Sequence, residues 1–182
     1  MKHSFLLLST LITMHTAQSQ NSQKEVIPQQ GTAFLLGKIS VKDLTRGSYN
    51  TWYQSSYESY EVDTATLPYI KKNIKHYELK LFLGTWCGDS KREVPRILKI
   101  LEQADYPMDL LEIIALDKRP GNYKKGPNGE EKGWKVTKVP TLVFLKDGQE
   151  VNRIVERPLK SLEKDMVAIL KNRGYLPRYS KN

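Results

Sequence analysis

The sequence holds a single cysteine, Cys87, in 182 residues. A chain with one thiol cannot staple itself with a disulfide, so its stability must come from packing. Histidine is scarce as well: there are three, none close to Cys87, and His76 stands alone in a Lys-rich segment. A protein metal site needs several Cys, His or carboxylate ligands brought together, so no metal is expected, and no cofactor. Gly126 to Gly133 is rich in glycine but lacks the Lys-Ser/Thr ending of a phosphate-cradling loop. No internal repeat, low-complexity tract or nucleic-acid motif accompanies the net charge of +9, and the lysines are spread over the whole chain. That excess reads as a solvated basic surface and not as a nucleic-acid footprint.

Long apolar runs are also missing. Phe5 to Met14 is about half the ~20 residues a membrane-spanning helix needs. Lys2 and His3 precede it and Ala17-Gln18-Ser19 follow it, the order of a secretory signal cleaved before Gln20. The expectation is an exported protein, periplasmic or secreted, with no stable membrane insertion after cleavage. No cysteine stands near the cleavage point to carry lipid. An unpaired cysteine in an oxidising compartment points to a reactive thiol or an intermolecular partner.

Cys87 lies in Gly84-Thr85-Trp86-Cys87-Gly88-Asp89-Ser90-Lys91, between the apolar run Leu79 to Leu83 and a helical pattern from Glu93 to Leu101. A strand that delivers a cysteine to the first turn of a helix is a way of making a thiolate, because unpaired N–H groups and partial positive charge there favour S⁻ over SH. Within the turn, Asp89 opposes thiolate character while Lys91 and Arg92 favour it. The flanking glycines, Asp89 and Ser90 make a polar turn, unlike the setting of a cysteine that serves only as a small buried hydrophobe.

This stretch resembles the thioredoxin active site, a Trp-Cys-Gly-Pro-Cys turn between a central strand and a helix. Trp86, Cys87 and Gly88 match; Asp89 replaces the proline and Ser90 the second cysteine. Downstream, Val139-Pro140-Thr141, the apolar run Leu142 to Leu145 and Lys146-Asp147-Gly148 resemble the family's cis-proline segment, strand and hairpin turn. Pro95 also fits, since thioredoxin-like helices carry a proline in that region. The resemblance covers roughly residues 69–171. It implies an α/β thioredoxin-like fold, a central mixed β-sheet flanked by helices, with an N-terminal extension. The expected division is a signal at 1–19, the extension at 20–62, the thioredoxin-like domain at 63–176 and a tail at 177–182.

Pattern places the remaining elements. Residues 34–39 suit a short strand. Trp52, Tyr53, Tyr57 and Tyr60 fall at spacings that share a helix face, read as a face packed on the domain in preference to a ligand platform. Asp63 or Thr64 is placed to cap a helix through Lys75. Strands are expected over 78–83, 109–116, 141–145 and 150–156, and a final helix over 159–170, opened by Pro158. Residues 117–132, rich in Lys, Gly and Pro, form a surface loop, either a functional loop or a tolerated insertion.

The missing second thiol decides the chemistry. In a dithiol oxidoreductase one thiolate attacks a disulfide and the neighbouring thiol releases the product. Ser90, positioned to hydrogen-bond the Cys87 sulfur, cannot resolve that intermediate. The acidic residue that thioredoxins bury six positions before the first cysteine is Leu81 here. What remains is a monothiol. Cys87 would be the nucleophile, with Ser90 beside it. Trp86, Gly88, Asp89, Val139, Pro140 and Thr141 would form a groove that holds an extended substrate by strand-like hydrogen bonds. Partners implied are protein disulfides or thiols, with a small-molecule thiol or separate reductant. The alternative is a redox-silent thioredoxin-fold module that binds a polypeptide in the same groove. Peroxide reduction fits poorly, since of the Pro and Thr that precede a peroxidatic cysteine only Thr85 is near.

Overall fold

The computed structural model describes residues 24–180. The expected signal and the last two residues lie outside the described residues. In chain order the described residues form β1 (Glu25–Val26), β2 (Phe34–Leu35), β3 (Gly37–Ile39), α1 (Val41–Leu44), α2 (Gly47–Glu58), α3 (Leu67–Asn73), β4 (Glu78–Leu83), α4 (Gly88–Gln103), β5 (Leu111–Ala115), β6 (Thr141–Lys146), β7 (Gln149–Val155) and α5 (Leu162–Leu170). Short 3-10 turns at Ile74–His76 and Met108–Leu110 lead into β4 and β5.

Five strands make one mixed sheet in the order β3-β5-β4-β6-β7, with β4 parallel to β5 and the other pairs antiparallel. Side chains alternate across a strand, and the alternation here sorts residues into two cores. Leu79, Leu81 and Leu83 of β4, Ile113 and Ala115 of β5, and Leu142 and Phe144 of β6 join the larger core. Val94, Ile97 and Leu101 of α4, Ile70 of α3 and Met166 of α5 pack into it from the helices. Phe82, Ile114, Val143 and Leu145 point to the other face and form a smaller core, covered by Trp86, Cys87, Trp134 and Val136. Helices thus pack the first face, while the irregular segment 117–138 contributes Trp134 and Val136 to the second. Each fully buried Phe or Leu contributes roughly 1.5–3 kcal/mol, and Phe82 and Phe144 are wholly buried on opposite faces.

The expected strand over 34–39 is split. Gly37 takes φ +85°, which turns the chain between β2 and β3. β3 then becomes an edge of the main sheet, Lys38 opposite Ile114. Tyr49 and Tyr53 of α2 are buried in the larger core, and Tyr57 stacks on Tyr53 with ring centres 5.8 Å apart. Residues 34–58 are therefore continuous with the core of the domain that follows. Tyr60 falls beyond the end of α2, where its hydroxyl donates to Glu163 at 2.8 Å.

Helix starts differ from expectation where side chains intervene. Asp63 heads a turn, accepting from the Ala65 amide at 2.9 Å, and α3 begins only at Leu67 with Pro68 in its first turn. Pro158 does not open the last helix. The amides of Leu159 and Lys160 donate to the Asp165 carboxylate at 2.6 and 3.2 Å, which holds them in a bend. Ser161 is the N-cap, its hydroxyl accepting from the Lys164 amide at 3.2 Å.

Candidate functional site

Two chain segments meet at the sulfur. β4 ends at Leu83, and the Cys87 amide donates to the Gly84 carbonyl at 2.8 Å, closing a tight turn. Cys87 is the N-cap of the 16-residue α4, with extended backbone at φ −90° and ψ 127°. The half-buried thiol sits at the positive end of a four-turn helix. The second segment is Val139-Pro140-Thr141, entering β6. Its Val139–Pro140 peptide is cis. The Cys87 thiol donates to the Val139 carbonyl oxygen at 3.3 Å, a bond the sulfur can make only while it carries its proton.

Trp86 is fixed from three sides. Its indole N–H donates to the Leu116 carbonyl at 2.9 Å, its ring lies 5.1 Å from that of Tyr123, and it packs on the smaller core. Gly84 makes the arrangement possible: a Cβ there would stand 2.6 Å from the indole Cε2. Thr85 faces the other way, its hydroxyl accepting the Leu35 amide at 3.0 Å, so the turn that carries Cys87 is tied to β2.

Ser90 does not serve as the sulfur's hydrogen-bond partner. It is fully buried, and its hydroxyl accepts the Gly84 amide at 3.2 Å; among the described residues it makes no bond to Cys87. The reason lies in the helix: a side chain in the first turn of α4 that faces inward meets the end of β4. Ser90 thus clamps the turn that carries the cysteine. Arg92 is likewise committed elsewhere, to Asp89 and Glu93 at 2.6 Å each, so its charge is spent on carboxylates. Burial pulls the Arg92 guanidinium down, and the bonds to Glu93 and Asp89 outweigh this and hold it above its usual value. Asp89 is neutralised further by Arg157 at 3.9 Å. Gly88 is exposed at the start of α4.

Val139, Pro140 and Thr141 are buried beside the sulfur. The Pro140 carbonyl accepts the Glu156 amide at 2.7 Å, and the Thr141 hydroxyl donates to the Lys138 carbonyl at 2.8 Å. Leu81 is wholly enclosed in the larger core. A carboxylate at that position would be buried among hydrocarbon, at a cost of several kcal/mol unless it stayed protonated. Sequence patterns missed Tyr123 and Arg157. Both lie outside the matching motifs, and the one visible sign was an isolated aromatic in a polar loop. Among the described residues no group of three or more His, Cys, Asp or Glu is placed to hold a metal ion. None of the helices there is long and apolar enough to cross a membrane.

No protein-family model matches the chain. An H-type thioredoxin 1 of Nicotiana tabacum is 31% identical over 101 residues, 54% of this chain and 72% of its own length. The chain belongs to the thioredoxin-like superfamily. An H-type thioredoxin of Populus jackii is 29% identical over 89 residues, 49% of this chain; the chain spans only 57% of that relative. Among solved structures, a Pseudomonas aeruginosa protein of unknown function shares the fold at a TM-score of 0.55 and 14% identity, covering 76% of this chain and 94% of its own. Within that thioredoxin-like frame, Asp89 and Ser90 mark the departure from the two-cysteine turn.

Proposed function

We propose that this thioredoxin-like protein performs thiol–disulfide exchange or isomerisation through Cys87 alone, outside the cytoplasm. The observation that carries the reading is the placement of the only thiol: half-exposed at a helix N-terminus, bonded to the Val139 carbonyl beside cis-Pro140. The Cys87 thiolate attacks one sulfur of a substrate disulfide. A Cys87–substrate disulfide forms, the substrate S–S bond breaks, and the other substrate sulfur leaves as a thiolate. With Ser90 in place of a resolving thiol, release needs an external thiolate, from the substrate or a small molecule. That thiolate attacks the mixed disulfide and frees Cys87. No net oxidation occurs; one disulfide is traded for another.

Export is supported by the basic start, apolar core and small-residue cleavage site of residues 1–19. The groove beside Pro140, formed with Trp86, Gly88, Asp89, Val139 and Thr141, is the proposed seat of an extended polypeptide.

The test follows transfer of glutathione from a glutathionylated peptide to free thiol by chromatography, with the mature chain in catalytic amounts. The wild-type protein should raise the rate at least about tenfold over the uncatalysed exchange, and Cys87→Ser should be inert. Equal rates for the two would reject exchange and leave a redox-silent module that binds a polypeptide in the same groove.

A further inference from the structure

Segment 117–138 is the part of the site neighbourhood that the exchange chemistry leaves unused. Its first half is a closed loop. The Asp117 amide donates to the Lys125 carbonyl at 3.0 Å and the Lys124 amide to the Asp117 carbonyl at 2.8 Å, pinching residues 118–124 at the neck. The Arg119 amide donates to the buried Asp117 carboxylate at 2.7 Å, and its guanidinium pairs with the same group at 2.6 Å. Next to the neck stands Tyr123, 54% exposed, with its ring 5.1 Å from Trp86, the residue before Cys87. The Lys124 ammonium donates to the Thr137 carbonyl at 2.7 Å, two residues before Val139, which accepts the Cys87 thiol. The loop is thereby fastened to both segments that frame the sulfur.

Its charge is unusual. Residues 117–138 hold seven Lys and Arg against three Asp and Glu, a net +4 out of the chain's +9. The three carboxylates are occupied: Asp117 by Arg119, Glu130 by the Asn128 amide, and Glu131 by the Gly126 amide. The ammonium groups of Lys118, Lys124 and Lys125 rest instead on the carbonyl oxygens of Thr32, Thr137 and Gly121, at 2.6, 2.7 and 2.8 Å. Among the described residues none of these three pairs with a carboxylate. A carbonyl holds an ammonium in place without cancelling its charge, so the loop that presents the exposed Tyr123 ring also carries fixed, uncompensated positive charge, with the Lys124 ammonium 4.8 Å from the centre of that ring.

We propose that segment 117–138 is a substrate-selecting arm that recognises acidic polypeptide segments, with Lys118, Lys124 and Lys125 facing carboxylates near the reacting cysteine and the Trp86–Tyr123 pair supporting the side chain beside it. This rests on the exchange reading and deepens it by naming the substrate class. Charge complementarity selects the partner and raises its encounter rate. A polypeptide is favoured over a phosphate polymer because the charged loop is fastened to a thiol, which has a disulfide to attack in the former and nothing in the latter.

The test uses the mature chain and two peptides, each with one cysteine held as a disulfide with 2-mercaptoethanol, flanked by Asp and Glu or by Lys. 2-Hydroxyethyl disulfide serves as a neutral control. At low ionic strength the acidic peptide should react with Cys87 about tenfold faster than the basic one. At about 0.5 M salt, where charges are screened within several Å, the difference should collapse. Lys118→Glu/Lys125→Glu should lose the preference while still reacting with 2-hydroxyethyl disulfide. No preference in the wild type, or an unchanged one in the double variant, overturns the proposal. Cys87→Ser, titrated with the fluorescent acidic peptide by anisotropy, isolates the arm from the chemistry. Binding that the two Lys→Glu changes abolish supports the arm, and absent binding rejects it. Tighter binding of a polyphosphate of equal charge would overturn the polypeptide assignment. If the wild type fails to react even with 2-hydroxyethyl disulfide, the exchange reading falls, and the anisotropy titration still decides the arm.

Discussion

At the scale of single residues, Ser90 serves the architecture of the turn that carries Cys87. Its hydroxyl sits where a second thiol would stand in a two-cysteine turn, yet it is buried and satisfies the Gly84 amide. Removing a partner from a buried amide costs about 1–3 kcal/mol. Ser90→Ala should therefore lower the unfolding free energy by that amount in urea titrations. Its rate of Cys87 alkylation by iodoacetamide should stay within about twofold of wild type, the scatter ordinary for a side chain that does not touch the sulfur. A large drop in alkylation with unchanged stability would assign Ser90 to the thiol instead. Leu81 follows the same logic. Its side chain is hydrocarbon enclosed in the larger core and supports the strand that leads to Cys87.

At the scale of elements, what the sequence revealed and what it hid separate by range. β4 was readable to the residue because Leu79, Leu81 and Leu83 alternate with Lys80 and Phe82, and both faces are buried. The Trp86-Cys87 turn and the Val139-Pro140 segment were readable from local motifs. Starts set by distant side chains were not. The Asp165 carboxylate, four residues into α5, reaches back to the amides of Leu159 and Lys160 and delays the helix to Leu162. The split at Gly37 has the same character: Thr85, fifty positions on, holds the Leu35 amide, and β5 captures Lys38. The aromatic face of α2 was legible as a packing face, but its partner, α4, was not. Tyr123 escaped because its neighbour Trp86 lies across a loop that no local pattern positions.

At the scale of the whole molecule, ionisable groups frame a pH window for the fold. Burial pushes the Asp43 carboxyl up, but the Ser40 amide and hydroxyl and the Lys24 ammonium outweigh it and bring it down to about 2. Burial likewise raises Glu112 and Asp117, and Lys38 with Lys80 in one case and Arg119 in the other pull them below the usual range. For such groups the stabilisation is present above the unfolded carboxylate value near ~4 and is lost as pH falls through the folded value. The tyrosines act in the opposite direction. Burial, aided by Glu102, pushes Tyr53 up to about 12, and burial also raises Tyr49, Tyr60, Tyr106 and Tyr175. Their contribution is complete below the unfolded phenol value near ~10 and is lost as pH climbs beyond it. Urea unfolding of the protein should show a plateau between about pH 4 and pH 10 with a fall on either side, and Asp43→Asn should flatten the acid limb. Stability that rises below pH 4 would contradict these assignments.

The sheet, the helix that presents Cys87 and the loop that closes the second face converge on one sulfur, and the central claim is that this sulfur exchanges without resolving. The most direct test mixes the protein with an excess of a disulfide-linked dimer of a one-cysteine peptide, removes the peptides together with the thiol released, and weighs the intact protein. The account predicts one covalent peptide adduct, absent in Cys87→Ser. The adduct should persist indefinitely without added thiol and be released at a rate proportional to the thiol supplied. No adduct after prolonged exposure, or an adduct that decays unaided, would contradict it.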